Sequence, residues 1–175
     1  MSKKLIVFYL LLPLFAFSQQ PVSTKATFIG NNPTEEFFSS KCLPLDSAIT
    51  TALYYDIYNW LGSCYKYAGS EKLGIDCSGF IKKLYKDIYC MDLMGGSADI
   101  FKGMHPIEKN DLQEGDLVFF KINKGKISHV GIYLRNHKFA HAAVKGGVII
   151  SDLNESYYKK YFFKGGRFMP NRCDT

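Results

Sequence analysis

The sequence predicts an α+β domain with helices packed on one side of an antiparallel sheet. Three observations point to it. Two stretches with apolar residues at helical spacing come first. Short β-branched and aromatic runs separated by turn residues follow. No internal repeat or second composition divides the chain. With 175 residues, 47% hydrophobic and 22% charged, the chain is long enough for one core and too apolar for a disordered protein.

The N-terminal stretch, "MSKKLIVFYLLLPLFAFSQQ", has two lysines, an apolar run from Leu5 to Phe17, and small residues at Ala16 and Ser18. That is the pattern of a secretory signal peptide over residues 1–18, cut after Ser18. An uncleaved membrane anchor is the competing reading, but the run is short for a span. The first cysteine after it is Cys42, which argues against a lipid-anchored N-terminus. Export to the periplasm or cell envelope follows, with no membrane insertion after cleavage. Residues 19–45, rich in Asn, Pro, Ser and Thr, are expected as a linker or N-terminal extension that becomes ordered near "KCLPLD". Residues 46–175 are expected as the domain.

Asp46 and Ser47 are candidate N-caps for a helix through "AITTALYYDIYNWL" that stops at Gly62. "SCYKYAGSEKLGI" is expected as a loop. A second helix starts at Cys77, with Phe80, Ile81, Leu84, Tyr85 and Ile88 on one face and Lys82, Lys83, Lys86 and Asp87 on the other. A loop from Cys90 to Gly115 leads to the strands "DLVFFKI", "HVGIYL", "KFAHAAV" and "GVIISD", with a last strand at "GRFM".

The net charge of +6 drops to +4 without Lys3 and Lys4, and the lysines are scattered. Nucleic-acid binding is therefore a poor fit. Mild basicity suits an acidic extracellular polymer. Of the five cysteines, Cys42, Cys64, Cys77, Cys90 and Cys173, an odd number leaves at least one thiol outside any intramolecular pairing. If that one is Cys77, the other four allow three pairings.

The chemistry concentrates around "GIDCSGF". Asp76 occupies an N-cap position, so Cys77 falls in the first turn, where backbone N–H groups and the helix dipole can lower a thiol's pKa. Ser78 and Gly79 leave room for a substrate. A thiolate nucleophile needs a base and the base an orienting group. His129 opens one strand and His141 closes the next. A three-residue turn at Arg135–Asn136 would set them opposite one another on one face, with the Cys77 helix against that face. The bland reading is a packed core cysteine. A zinc site is a third, but CxxC and HExxH spacings are missing. His105 and His137 are expected at the surface, and Asp116 at the end of a turn.

Five stretches occur in order: "YKYAGSEKLGIDCSGF", "LQEGDLVFF", "ISHVGIYL", "KFAHAA" and "GVIISDLNESYYKKYF". Together they resemble the NlpC-type cysteine peptidases of bacterial cell walls, nearest the small single-domain murein endopeptidase branch. The resemblance runs from about Trp60 to Phe168. It implies a papain-like core and a cysteine endopeptidase, needing no cofactor, that hydrolyses amide bonds in peptidoglycan stem peptides or cross-links, at a γ-D-glutamyl-diamino acid or D-alanyl-diamino acid bond. It implies Cys77 as nucleophile, His129 as base, His141 as orienter and Tyr65 against the nucleophile. Asp76 and Ser78 would line the substrate pocket. Two features depart from the family pattern. Gly95 stands where an arginine is common, and Ala68 replaces a glycine-like position. Cys64 beside Tyr65 is expected as incidental packing or as a redox partner. The alternatives are a wall-binding module without catalysis, or another thiol acyl-transfer enzyme on the same core.

Overall fold

The computed structural model describes residues 32–43, 45 and 48–168. The leader, the Asp46–Ser47 cap and Cys173 lie outside the described residues.

Helix α1 (Pro33–Ser40) falls within the stretch expected as linker. Asn32 caps it by accepting from the Thr34 N–H, and Pro33 stands at the first helical position, where no N–H is needed. Phe38 is fully buried and meets Tyr54 edge to face at 4.5 Å. Burying such a ring stabilises the fold by about 2 kcal/mol. The packed domain thus takes in residues that composition alone assigned to linker, because Asn-Pro followed by two glutamates is also a helix start.

Helix α2 (Ala48–Trp60) ends before Gly62, which has φ +77°. A two-residue hairpin, β1 (Ser70–Glu71) and β2 (Gly74–Ile75), interrupts the expected loop. Helix α3 (Cys77–Tyr89) has the expected phase: Phe80, Ile81, Leu84 and Tyr85 are buried and Ile88 is partly so. The stretch from 90 to 115 is more ordered than expected, with α4 (Ser97–Lys102) and β3 (His105–Ile107), which carries the exposed His105. Strands β4 (Leu117–Phe120), β5 (His129–Tyr133), β6 (Lys138–Ala143) and β7 (Gly147–Asp152) follow. Helix α5 (Ser156–Tyr161), not anticipated, leads into β8 (Phe162–Arg167).

The six-stranded sheet has the order β3-β8-β4-β5-β6-β7, with every pair antiparallel. Side chains alternate across it. Leu117, Phe119, Val130, Ile132, Ala140 and Ala142 share one core with α1, α2 and α3. Val118, Phe120 and Phe139 point the other way and pack with Tyr158 and Tyr161 of α5. The large helices lie on one side, as expected. The short α5 covers part of the other, which is why "LVFF" is buried at all four positions.

Asp116 does more than end a turn. Its carboxylate is 4% exposed and takes both Nε and Nη2 of Arg167 at 2.8 Å, plus the Gln113 N–H at 2.7 Å. The planar guanidinium fits a carboxylate in this two-bond fashion. It ties the start of β4 to the end of β8. Asp116→Ala is expected to cost about 2 kcal/mol, below the roughly 3–5 kcal/mol of a fully buried pair because Arg167 keeps some access to water. Urea unfolding should show the midpoint falling with unchanged slope.

Candidate active site

The Asp76 carboxylate organises the Cys77 end of α3. Oδ1 accepts from the Gly79 N–H at 2.6 Å and from Ser78 Oγ at 2.9 Å, and Oδ2 accepts from the Ala68 N–H at 2.9 Å. Capping and loop anchoring occupy both oxygens. Asp76 and Ser78 therefore bind each other and the backbone, and, like Cys77 between them, they lie beside the cavity described below and not in its lining. Ala68 is held at φ +55°, a left-handed conformation that costs a non-glycine residue roughly 1 kcal/mol, so the glycine-like position keeps glycine's geometry without glycine. Gly79 does not make room for a substrate. A methyl there would sit 2.4 Å from the Gly69 carbonyl oxygen, so its bare Cα lets the loop press onto the helix.

Cys77 is 8% exposed. The N–H groups of Cys77, Ser78 and Val130 all donate toward its sulfur and favour the thiolate, yet burial outweighs them and pushes the thiol pKa up. The expected lowering by the helix start is reversed in the resting protein.

The histidines sit differently from expectation. The turn between β5 and β6 has three residues, Arg135–His137, with Leu134 bonded to Lys138, and the ladder pairs Ile132 with Ala140 and Tyr133 with Phe139. That register sets His141 one step past Ala140, beside Gly131, so His129 is diagonal to His141 and not directly opposite. The faces also differ. His129 and His141 point to the side of Phe120 and Phe139, whereas α3 packs against Val130, Ile132, Ala140 and Ala142 on the other. Thiol and imidazole can meet only at the sheet's rim. There the β5–β6 ladder has stopped, and the Val130 N–H reaches the Cys77 sulfur. Gly131 is small because a methyl there would lie 2.7 Å from the Phe139 ring and 3.2 Å from His141 Cβ.

Across this opening His129 Nε2 and His141 Nδ1 are 2.9 Å apart. His141 is 1% exposed and stacks on Phe139 at 4.7 Å. Its Nε2 lies 3.0 Å from Ser151 Oγ on β7 and 3.2 Å from Tyr158 Oη on α5. Neither partner was anticipated from the sequence. "GVIISD" and "NESYYKKY" carry no local signal that a hydroxyl from each converges on one imidazole. Burial lowers the pKa of His129 to about 4 and that of His141 well below its ordinary value. The resting site is a neutral thiol beside neutral imidazoles.

His129, His141, Tyr65 and Tyr158 line a cavity of about 590 Å³ together with Ile149, Lys145 and others. Burial, then the neighbouring Cys77 and Asp76, raise the Tyr65 hydroxyl pKa, so it remains a donor. Cys64 is exposed and not packed, and the four described cysteines are free thiols. Among the described residues no group of three or more His, Cys, Asp or Glu could hold a metal.

A thiol at a helix start beside a histidine pair on a sheet rim is the layout of an α+β cysteine peptidase. Residues 62–167 match the NlpC/P60 family, and the chain belongs to it. It is 37% identical over 108 residues to a probable endopeptidase of Haemophilus influenzae, covering 61% of this chain and 67% of that protein. It is 37% identical over 112 residues to the murein DD-endopeptidase MepS/murein LD-carboxypeptidase of Escherichia coli strain K12, covering 63% and 58%. The chain thus spans roughly three-fifths to two-thirds of these relatives' length. A crystal structure of an NlpC/P60 family protein from Bacillus cereus superposes with TM-score 0.64 at 28% identity, over 73% of this chain and 42% of that one. RipD of Mycobacterium tuberculosis, described as a non-catalytic NlpC/p60 domain protein, shares the fold with TM-score 0.57 at 18% identity, over 71% of this chain and all of that one.

The neutral histidines, His141 buried and His129 partly so, generate a pH prediction. Both folded pKa values lie below the unfolded value near 6.5. As pH falls through that value the unfolded chain takes up protons the folded chain refuses, so stability declines between about pH 6.5 and 4. In a variant with His129→Gln and His141→Gln, urea midpoints measured across this window should fall less steeply with acid.

Proposed function

We propose that this protein is an exported cysteine endopeptidase of the cell envelope that hydrolyses amide bonds in peptidoglycan stem peptides or their cross-links. One observation carries the reading: the Val130 N–H, next along the chain from His129, reaches the Cys77 sulfur, and His129 and His141, 2.9 Å apart, line a cavity with Tyr65. A wall-binding module of the RipD kind needs no such alignment. The murein endopeptidase named among the relatives supplies the substrate class.

His129 uses Nε2 toward His141, so Nδ1 is the ring nitrogen available to the thiol. Both groups start neutral. As Cys77 Sγ attacks the carbonyl carbon, its proton passes to His129 Nδ1. The oxyanion develops against the N–H groups of Cys77 and Ser78, which the Asp76 cap leaves unclaimed, and against the Tyr65 hydroxyl. His129 then gives its proton to the leaving amine. Water, deprotonated by the same nitrogen, cleaves the thioester. The N–H donors that fail to ionise the resting thiol are set for the charge that appears during the reaction. Binding energy goes to the transition state and not to the ground state.

Cys77→Ala is expected to stay folded by circular dichroism and to release no muropeptides from purified sacculi. His129→Ala should be as damaging, since the two act as a unit. His141→Ala should be milder, and His141→Asn or Gln should recover part of the loss, because an amide oxygen can accept from His129 Nε2–H. Cleavage by a folded Cys77→Ala protein would remove the assignment.

The cavity also bears on substrate choice. Gly95 has φ +75°, and a Cβ there would meet the Asp99 side chain, so an arginine at this position would be strained. Among the described residues that line the cavity, Lys145, exposed on the β6–β7 turn, is the one formally charged at neutral pH. An exposed cation is screened within about 10 Å at 0.1 M salt. Stem peptides with free and amidated carboxylates should therefore be cleaved at rates that differ modestly at low salt and converge at high salt. A preference for the free acid that survives high salt would point to a sheltered cation instead.

A further inference from the structure

We infer that Ser151 and Tyr158 are positioning residues that set the proton direction of the histidine pair, by supplying the acceptors that keep the single proton of His141 on Nε2. This rests on the reading of His129 as the base. When His129 has taken the thiol proton at Nδ1, it carries a hydrogen on each ring nitrogen. Its Nε2–H then points at His141 Nδ1, 2.9 Å away, which must be bare to accept it. The one proton of neutral His141 is forced onto Nε2. That N–H is buried, with Phe139 stacked on the ring, and two oxygens lie within reach: Ser151 Oγ at 3.0 Å and Tyr158 Oη at 3.2 Å.

The two oxygens are themselves linked. Ser151 Oγ donates to Tyr158 Oη at 3.3 Å. A continuous chain results, with each group donating to the next: His129 Nε2, His141 Nδ1 and Nε2, Ser151, Tyr158. The Tyr158 hydroxyl hydrogen is left to point into the cavity that Tyr158 lines. No proton moves along the chain beyond His129: it fixes orientation, and the positive charge of the reacting state stays on the His129 ring. The opposite arrangement puts the His141 proton on Nδ1. His129 Nε2 must then accept, and its remaining proton sits on Nδ1, facing the thiol it should deprotonate. That state cannot act as the base. With both hydroxyls removed, a buried N–H at His141 Nε2 would lack an acceptor, and the proton would move to Nδ1, the inactive direction. Three separate elements, β6, β7 and α5, meet at this imidazole, so the arrangement is not a by-product of one local turn.

Nitrogen-15 NMR of the His141 side chain tests this directly, in the Cys77→Ala protein at neutral pH, with no dependence on hydrolysis. The expected spectrum is that of the Nε2–H tautomer. In a protein that also carries Ser151→Ala and Tyr158→Phe, it should change to Nδ1–H. With Cys77 restored, this double variant should lose at least about tenfold in kcat with KM little changed, a part of the roughly 100-fold or more that a positioned base contributes. Either single change should cost less, since one oxygen remains, and Ser151→Thr should retain wild-type behaviour. An Nδ1–H tautomer in the otherwise unaltered protein overturns the proposal whether or not the double variant folds. So does a double variant that keeps both the Nε2–H tautomer and full kcat. If instead no Cys77-dependent cleavage of sacculi is found, the hydrolase reading fails, while the spectra still decide what holds the His141 proton.

Discussion

The Asp76 carboxylate is the point on which the site depends. It caps α3 through Gly79, holds the Ser78 hydroxyl, and reaches back eight residues to the Ala68 amide. By taking the third N–H of the helix it leaves the first two, those of Cys77 and Ser78, directed at the sulfur. By fixing Ala68 it holds the segment that carries Tyr65, which bridges to Ile75 just before the helix begins. A capping interaction of this kind ordinarily contributes about 1 kcal/mol of stability. Here the same bonds place a thiol, two backbone N–H donors and a tyrosine relative to one another.

Burial shapes the electrostatics more than the helix dipole does. The sulfur, His129 and His141 are each pushed toward their uncharged forms by desolvation, the largest influence on each. A thiolate–imidazolium pair at rest would have to pay for two charges in a poorly solvated place. The neutral pair avoids that cost. It shifts the charge separation to the moment when a substrate carbonyl and the helix-start amides are there to receive it. The fold alone does not secure this behaviour, since RipD shares the fold and is described as non-catalytic. Function here is argued from Cys77, the histidine pair and the cavity beside them.

Much of the fold was legible because each signal is local. The face of α3 followed from apolar residues at helical spacing, and the strands from short β-branched runs between turns. The co-facing of His129 and His141 followed from the parity of a hairpin, and parity survives even when the pairing partner is wrong. The alignment by two residues follows from the three-residue turn itself, which pairs Leu134 with Lys138 and so Gly131 with His141, and the expectation misplaced it. The side of the sheet on which α3 lies was not legible, because it depends on which of two apolar faces the helix takes. In β4 all four residues are apolar, so alternation could not say which face meets the large helices and which meets α5. Asn32–Pro33 was present as a helix start, but a polar composition around it gave the opposite impression.

What the sequence by itself determined was the position of Cys77 at a helix start, the histidines' shared face and the membership of a cell-wall peptidase family, because each resides in residues close along the chain or in an ordered set of short motifs. Only the tertiary structure decided that the Val130 N–H, beside His129, reaches the Cys77 sulfur at the sheet's rim and that thiol and imidazoles rest uncharged. It alone brought Ser151 and Tyr158 onto His141, and Arg167 onto Asp116. Those contacts join residues 10, 17 and 51 positions apart. A contact across such a distance is set by strand register, crossover and burial acting together, and no single stretch of sequence encodes it.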